Sequence, residues 1–147
     1  MSKLVELQKL YEKVREEERN YWTELRQTLE DVVNSVSQML GVNPNNAESF
    51  RVGIVNSEGK FMEATLRQLT RNDRSCEFAL QLTLSQESSL IPPNFITTEW
   101  SARETSEGLE LTGKGERLWC FEFPDDAAKY IIGVFEKKIS SFSPYVL

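Results

Sequence analysis

The stretch SKLVELQKLYEKVREEERNYWTELRQTLEDVVNSVSQML, residues 2–40, decides how the rest of the chain must be read. Its apolar residues Leu4, Leu7, Tyr11, Val14, Tyr21, Leu25, Leu29, Val32, Val36 and Met39 recur at alternating steps of three and four. That spacing lays one stripe down one face of a helix. Ser2 carries the side-chain oxygen that caps an amino end, Gly41 suits the left-handed position that closes a carboxyl end, and Pro44 blocks continuation. No glycine or proline falls between residues 2 and 40. At a rise of about 1.5 Å per residue the helix approaches 60 Å, whereas a compact chain of this size spans roughly 40 Å. Part of it must project, bend or pair.

The two halves of the stretch differ in chemistry. From Leu25 to Leu40 the apolar positions include Leu25, Leu29, Val32, Val33, Val36, Met39 and Leu40, a band wide enough to pack on a sheet. From Lys3 to Trp22 the flanks are charged, as in Glu12, Lys13, Arg15, Glu16, Glu17, Glu18 and Arg19, and the stripe narrows to heptad spacing. Residues 2–22 are therefore the expected projecting or oligomerisation segment, dividing from the core half at about Leu25. Glu18 stands in the stripe between Val14 and Tyr21, where an unpaired buried carboxylate costs several kcal/mol, on the order of a lost hydrogen-bonded charge. The seam must be short, partly open, or paired there with a basic residue. The register slips by one residue between Leu25 and Leu29, so a long parallel coiled coil is not expected. The stripe either packs along the chain's own sheet or meets another helix.

Downstream of the Asn43-Pro44-Asn45-Asn46 connector the apolar period changes from 3.6 to 2. Phe50, Val52 and Ile54 alternate with Arg51 and Gly53, the turn Asn56-Ser57-Glu58-Gly59 follows, and residues 61–69 return as a second strand. A polar turn over residues 70–75 leads to Cys76, Phe78, Leu80, Leu82 and Leu84, a half-buried strand expected near the sheet centre. Residues 86–94, with Pro92-Pro93, read as a mobile or recognition loop. Residues 95–103, 109–112 and 117–123 are three further strands of an antiparallel meander, the last apolar on both faces and so central or lining an interface. Pro124 and Asp125-Asp126 start a final helix, residues 125–142, with Ala128, Ile131, Ile132, Phe135, Ile139 and Phe142 on one face. The order predicts a single α+β domain over residues 1–147. An antiparallel sheet of about six strands, residues 50–123, has one face covered by the carboxyl-terminal helix and half of the amino-terminal one.

Composition narrows the function. The 147 residues are 39% hydrophobic and 27% charged, and no apolar run approaches the roughly 18 residues of a membrane span. Glu6 and Glu12 fall where a signal sequence needs an apolar core, so an intracellular, cytoplasmic setting is expected, with no membrane partner. Cys76 and Cys120 sit in strand-like runs as small buried hydrophobes rather than a disulfide. With no histidine and two lone cysteines, no metal and no cofactor are expected. A net charge of −6 opposes general nucleic-acid binding, and Arg67, Arg71 and Arg74 read as a solvated turn diluted by Glu63, Asp73 and Glu77.

No catalytic residues emerge. Gly113-Lys114-Gly115 joins two strands, unlike a phosphate-binding loop, and Asp125-Asp126 suit a helix amino end. The serines lack a histidine base, a Gly-x-Ser-x-Gly elbow or a Ser-x-x-Lys context. Trp100 and Trp119 read as core residues with satisfied indole N–H groups. Trp22 beside Tyr21 reads as an exposed aromatic pair where the helix leaves the body. The expected function is a non-catalytic protein-interaction module that pairs with itself or a protein partner through Tyr11, Val14, Glu18, Tyr21 and Trp22. Two alternatives remain. One is an acidic inhibitor or immunity-type protein that occludes a basic cleft or mimics nucleic acid through the Glu16-Glu17-Glu18 run; the other sequesters a small ligand between sheet and helices or across subunits.

Overall fold

Local chemistry at both ends of the opening helix does what its residues suggest. In the computed structural model, which describes residues 2–43, 45–85 and 93–145, helix α1 spans Lys3–Leu40 without a break. The Ser2 hydroxyl accepts from the Val5 amide at 3.3 Å. Gly41 adopts φ 74° at the other end, where its amide reaches the Gln38 carbonyl at 3.1 Å and the Val42 amide the Ser37 carbonyl at 2.9 Å. Pro44 and the loop expected over residues 86–94 fall outside the described residues, Pro93 and Asn94 excepted.

A 3-10 turn at Ala47–Ser49 leads into the strands β1 Phe50–Val55, β2 Phe61–Glu63, β3 Thr70–Asn72, β4 Ser75–Thr83, β5 Phe95–Thr105, β6 Gly108–Gly113 and β7 Trp119–Phe121, and helix α2 Pro124–Ser140 ends the fold. All pairings are antiparallel in the order β2-β1-β4-β5-β6-β7, with β3 also on β4. The fold is therefore α+β.

Register explains the two faces. Cys76, Phe78, Leu80 and Leu82 lie opposite Ala102, Trp100, Thr98 and Ile96, and this row joins Val36, Leu29, Ile131 and Phe135 of the helices in one core. Both helices cover that face, and α1 packs chiefly on α2. The buried Thr98 hydroxyl accepts the Trp100 indole N–H at 2.7 Å and donates to the Leu80 carbonyl at 3.4 Å, so neither polar group is orphaned. Gly113 lies against the Trp100 ring, which a Cβ would approach to 2.9 Å. Ser35, buried on α1, donates to the Asp125 carboxylate at 2.6 Å, tying α1 to the first turn of α2. The other face is polar, with Gln81 donating to Thr97 at 3.2 Å and ion pairs Lys114–Glu99 at 3.2 Å and Arg103–Glu110 at 2.7 Å.

Several expectations are corrected. The second arm of the first hairpin is a strand only over Phe61–Glu63, with the Ala64 amide still donating to the Val52 carbonyl at 3.0 Å, because residues 65–69 turn away, held by Thr65–Gln68 hydrogen bonds, and set Leu66 and Leu69 into the core. Thr70–Asn72 then re-enters the sheet as β3 rather than forming a polar turn, and the reversal falls at Asp73 with φ 57°. The last strand is not central but the edge of the sheet, and Trp119 on it is 39% exposed rather than core. Cys120 is exposed because it lies opposite Glu110 on the uncovered face, whereas Cys76 is buried; both thiols are free. Burial pushes the Cys76 thiol up to about 11.

Candidate functional site

Every residue from Ser2 to Glu17 is exposed, and contact with the body begins at Glu18. Among the described residues the helix therefore stays exposed and clear of the sheet and α2 over residues 3–17, about 22 Å at 1.5 Å per residue. Leu4, Leu7, Leu10, Tyr11 and Val14 are 47–64% exposed. At about 100° of turn per residue, Leu4, Leu7, Tyr11 and Val14 fall within roughly 40° of the direction in which Leu25, Leu29 and Val36 enter the core. The free stripe and the buried stripe are one stripe, and its free part points to the side on which the sheet lies.

The division at Glu18 has a physical cause that lies in Arg71 of β3 and Arg74 of the β3–β4 turn. The Arg74 guanidinium pairs with the Glu18 carboxylate, which also accepts the Trp22 indole N–H at 3.2 Å. The Tyr21 hydroxyl donates to the Arg74 carbonyl and accepts the Glu104 amide at 3.3 Å. Arg71 stacks 4.6 Å over the Trp22 ring and Arg74 5.7 Å over the Tyr21 ring, while the two aromatic rings meet edge to face at 5.1 Å. Burial raises the Tyr21 phenol above its ordinary value, against the opposing Glu104 hydrogen bond and the Arg103 and Arg74 charges.

Of the five residues selected from the sequence, Tyr11 and Val14 lie exposed on the free stripe, while Glu18, Tyr21 and Trp22 engage the β3–β4 hairpin of their own chain. The expected exposure of the Tyr21–Trp22 pair is thus corrected: both are half-buried against the core, and the body contact starts seven residues earlier than Leu25. Arg71 and Arg74, exposed on either side of the Asp73 turn, are also the partners that dock the helix. Sequence reasoning passed over Leu10, whose signal is an apolar residue one helical step from Leu7 on the flank of the stripe.

Two other surfaces have ligand-sized relief. On the polar sheet face an open groove of about 370 Å³ is lined by Thr70, Glu77, Glu99, Ser101, Thr112 and Lys114, with its Glu99 and Lys114 paired to each other. At the sheet edge, Trp119 and Tyr130 line a shallower groove of about 580 Å³ with Arg117 stacked 4.1 Å over the Trp119 ring and Glu116 paired to Lys137 at 3.3 Å. Among the described residues no group of three or more His, Cys, Asp or Glu side chains could hold a metal ion, and no helix is long and apolar enough to cross a membrane. Comparison with protein-family models, curated proteins and solved structures found no match.

Proposed function

We propose that this protein is a non-catalytic interaction module in which the sheet and α2 form a rigid platform and residues 3–17 of α1 are the contact surface. The observation that carries this reading is the apolar stripe Leu4, Leu7, Tyr11 and Val14, which continues the core-facing side of α1 and, among the described residues, meets nothing beyond its own helix, where the Arg15 guanidinium lies 5.9 Å over the Tyr11 ring. Apolar residues in register on one face gain by leaving water, at about 25 cal/mol per Å² covered. Solubility alone calls for polar residues there. A stripe kept apolar beyond the end of its own core supports a second surface that fits it.

The acidic-inhibitor reading draws less support. Glu18 is occupied by Arg74 and Glu12 pairs with Arg15 at 3.7 Å, which leaves a mixed rather than an acidic face. Ligand sequestration would use the groove on the polar sheet face, where Glu99 and Lys114 already pair with each other.

The test is site-specific photocrosslinking of the full chain in its cells of origin. Benzoylphenylalanine in place of Tyr11 should give a discrete adduct, with a second copy or with another protein, and the same probe in place of Thr97 on the opposite sheet face should not. Adding Leu7→Glu should abolish the adduct. If Tyr11 gives none, or gives one that Leu7→Glu leaves intact, the reading fails.

A further inference from the structure

Building on that reading, we infer that the surface fitting residues 3–17 is the same segment of a second copy of this chain, running antiparallel. The direction follows from where the body lies. Paired helices sit about 8–10 Å apart, and the free stripe points to the side occupied, from Glu18 onward, by the β3–β4 hairpin and the sheet. A parallel copy in register would carry its own unbroken helix past residue 18 straight into Arg71, Arg74 and the strands behind them. An antiparallel copy avoids this, because its residues beyond 17 lie past Lys3, away from the first copy's hairpin and sheet, and its body lies at the far end of the seam.

Side-chain complementarity fits that direction. With Leu4 set opposite Val14 of the second copy, Leu7 falls opposite its Tyr11, Tyr11 opposite its Leu7 and Val14 opposite its Leu4. Glu18 would be the next position of the stripe, and the overlap stops just short of it, where its carboxylate is already held by Arg74. On one flank Leu10 meets Leu10 of the second copy across the two-fold axis, which gives this exposed residue an apolar neighbour. On the same flank Lys3 meets Glu17 of the second copy, and Glu17 its Lys3. The Lys3–Glu6 pair that this exchanges is a solvent-exposed contact at 3.5 Å. Lys3, Lys9, Lys13 and Arg15 also balance Glu6, Glu12, Glu16 and Glu17, so this segment is neutral in a chain of net charge −6. Two copies therefore meet here without net charge repulsion. Two heptads per chain is a short seam, and the dimer is expected to dissociate in the micromolar range.

The test uses full-length chains in sedimentation equilibrium over a range of concentrations. Lys3→Glu and Glu17→Lys should each weaken dimerisation about five-fold, since each reversal places like charges at two symmetric contacts, and the double reversal should restore it. In a Cys120→Ser background, Leu10→Cys should oxidise to a disulfide-linked dimer, and Leu7→Cys, which would face itself only in a parallel pair, should not. A wild-type chain that stays monomeric at every concentration overturns the inference. So do charge reversals that leave the equilibrium unchanged, a double reversal that fails to restore it, or a Leu7→Cys disulfide that outpaces Leu10→Cys. In any of these cases a Tyr11 adduct with another protein, or with a second copy in a different geometry, still upholds the interaction reading, and the absence of all adducts removes both.

Discussion

Leu29 and Leu7 lie on one face of one helix, yet Leu29 is 2% exposed and Leu7 is 51% exposed. Around Leu29 the stripe meets α2 and the sheet; around Leu7, among the described residues, it meets nothing beyond α1 itself. The free half keeps its helical form through its own Ser2 cap, the exposed pairs Lys3–Glu6 and Arg15–Glu12, and above all continuity with a docked half that supplies the nucleus. An isolated helix of such length is marginal in water. The contrast teaches that periodicity names the face of a helix that wants cover but not what covers it.

The largest difference between the halves should appear on truncation of these two leucines. Leu29→Ala should cost about 3 kcal/mol in urea unfolding, because it removes a buried side chain and leaves a cavity, whereas Leu7→Ala in dilute protein should change stability by no more than about 0.5 kcal/mol. Comparable losses at the two positions would mean that the chain covers its own free half. A smaller effect is expected where the halves meet. Tyr21→Phe deletes the hydrogen bonds to the Arg74 carbonyl and the Glu104 amide and should cost about 1–2 kcal/mol. Amide exchange should then quicken over residues 18–25 and stay slow over residues 29–40; uniform exchange along α1 would move the boundary elsewhere. The smallest effect belongs to the cap: Ser2→Ala should weaken the first turn by about 1 kcal/mol, speeding exchange at Val5, and leave the urea midpoint unmoved. A shifted midpoint would show that the free half unfolds together with the core.

What was legible in the sequence was what neighbouring residues decide among themselves. The Ser2 and Gly41 caps, the strict alternation from Cys76 to Leu82 and the Pro124 start of α2 all depend on groups a few positions apart. The stripe position of Glu18 left a basic partner as one of three outcomes, beside a short or a partly open seam. That the partner is Arg74, 56 residues along the chain, depends on how the sheet folds back, and so the boundary was placed at Leu25 instead of Glu18. For the same reason Tyr21 and Trp22 looked like an exposed pair: nothing local reveals that Arg71 and Arg74 reach them. Trp119 and Cys120 show a second kind of limit. Alternation along a strand separates its two faces, but whether a face is covered, or a strand is an edge, is settled by its neighbours in space.

The Glu18–Trp22 junction has a mechanical side as well. A force applied near Leu4 acts through an arm of about 20 Å on a fulcrum built from an ion pair, two hydrogen bonds to Tyr21 and two stacked guanidinium groups. Those contacts tie the helix to both the β3–β4 hairpin and the end of β5, so torque on the arm is shared between two parts of the sheet rather than taken by a single hinge. Whatever holds the tip of the helix thereby also fixes the orientation of the sheet.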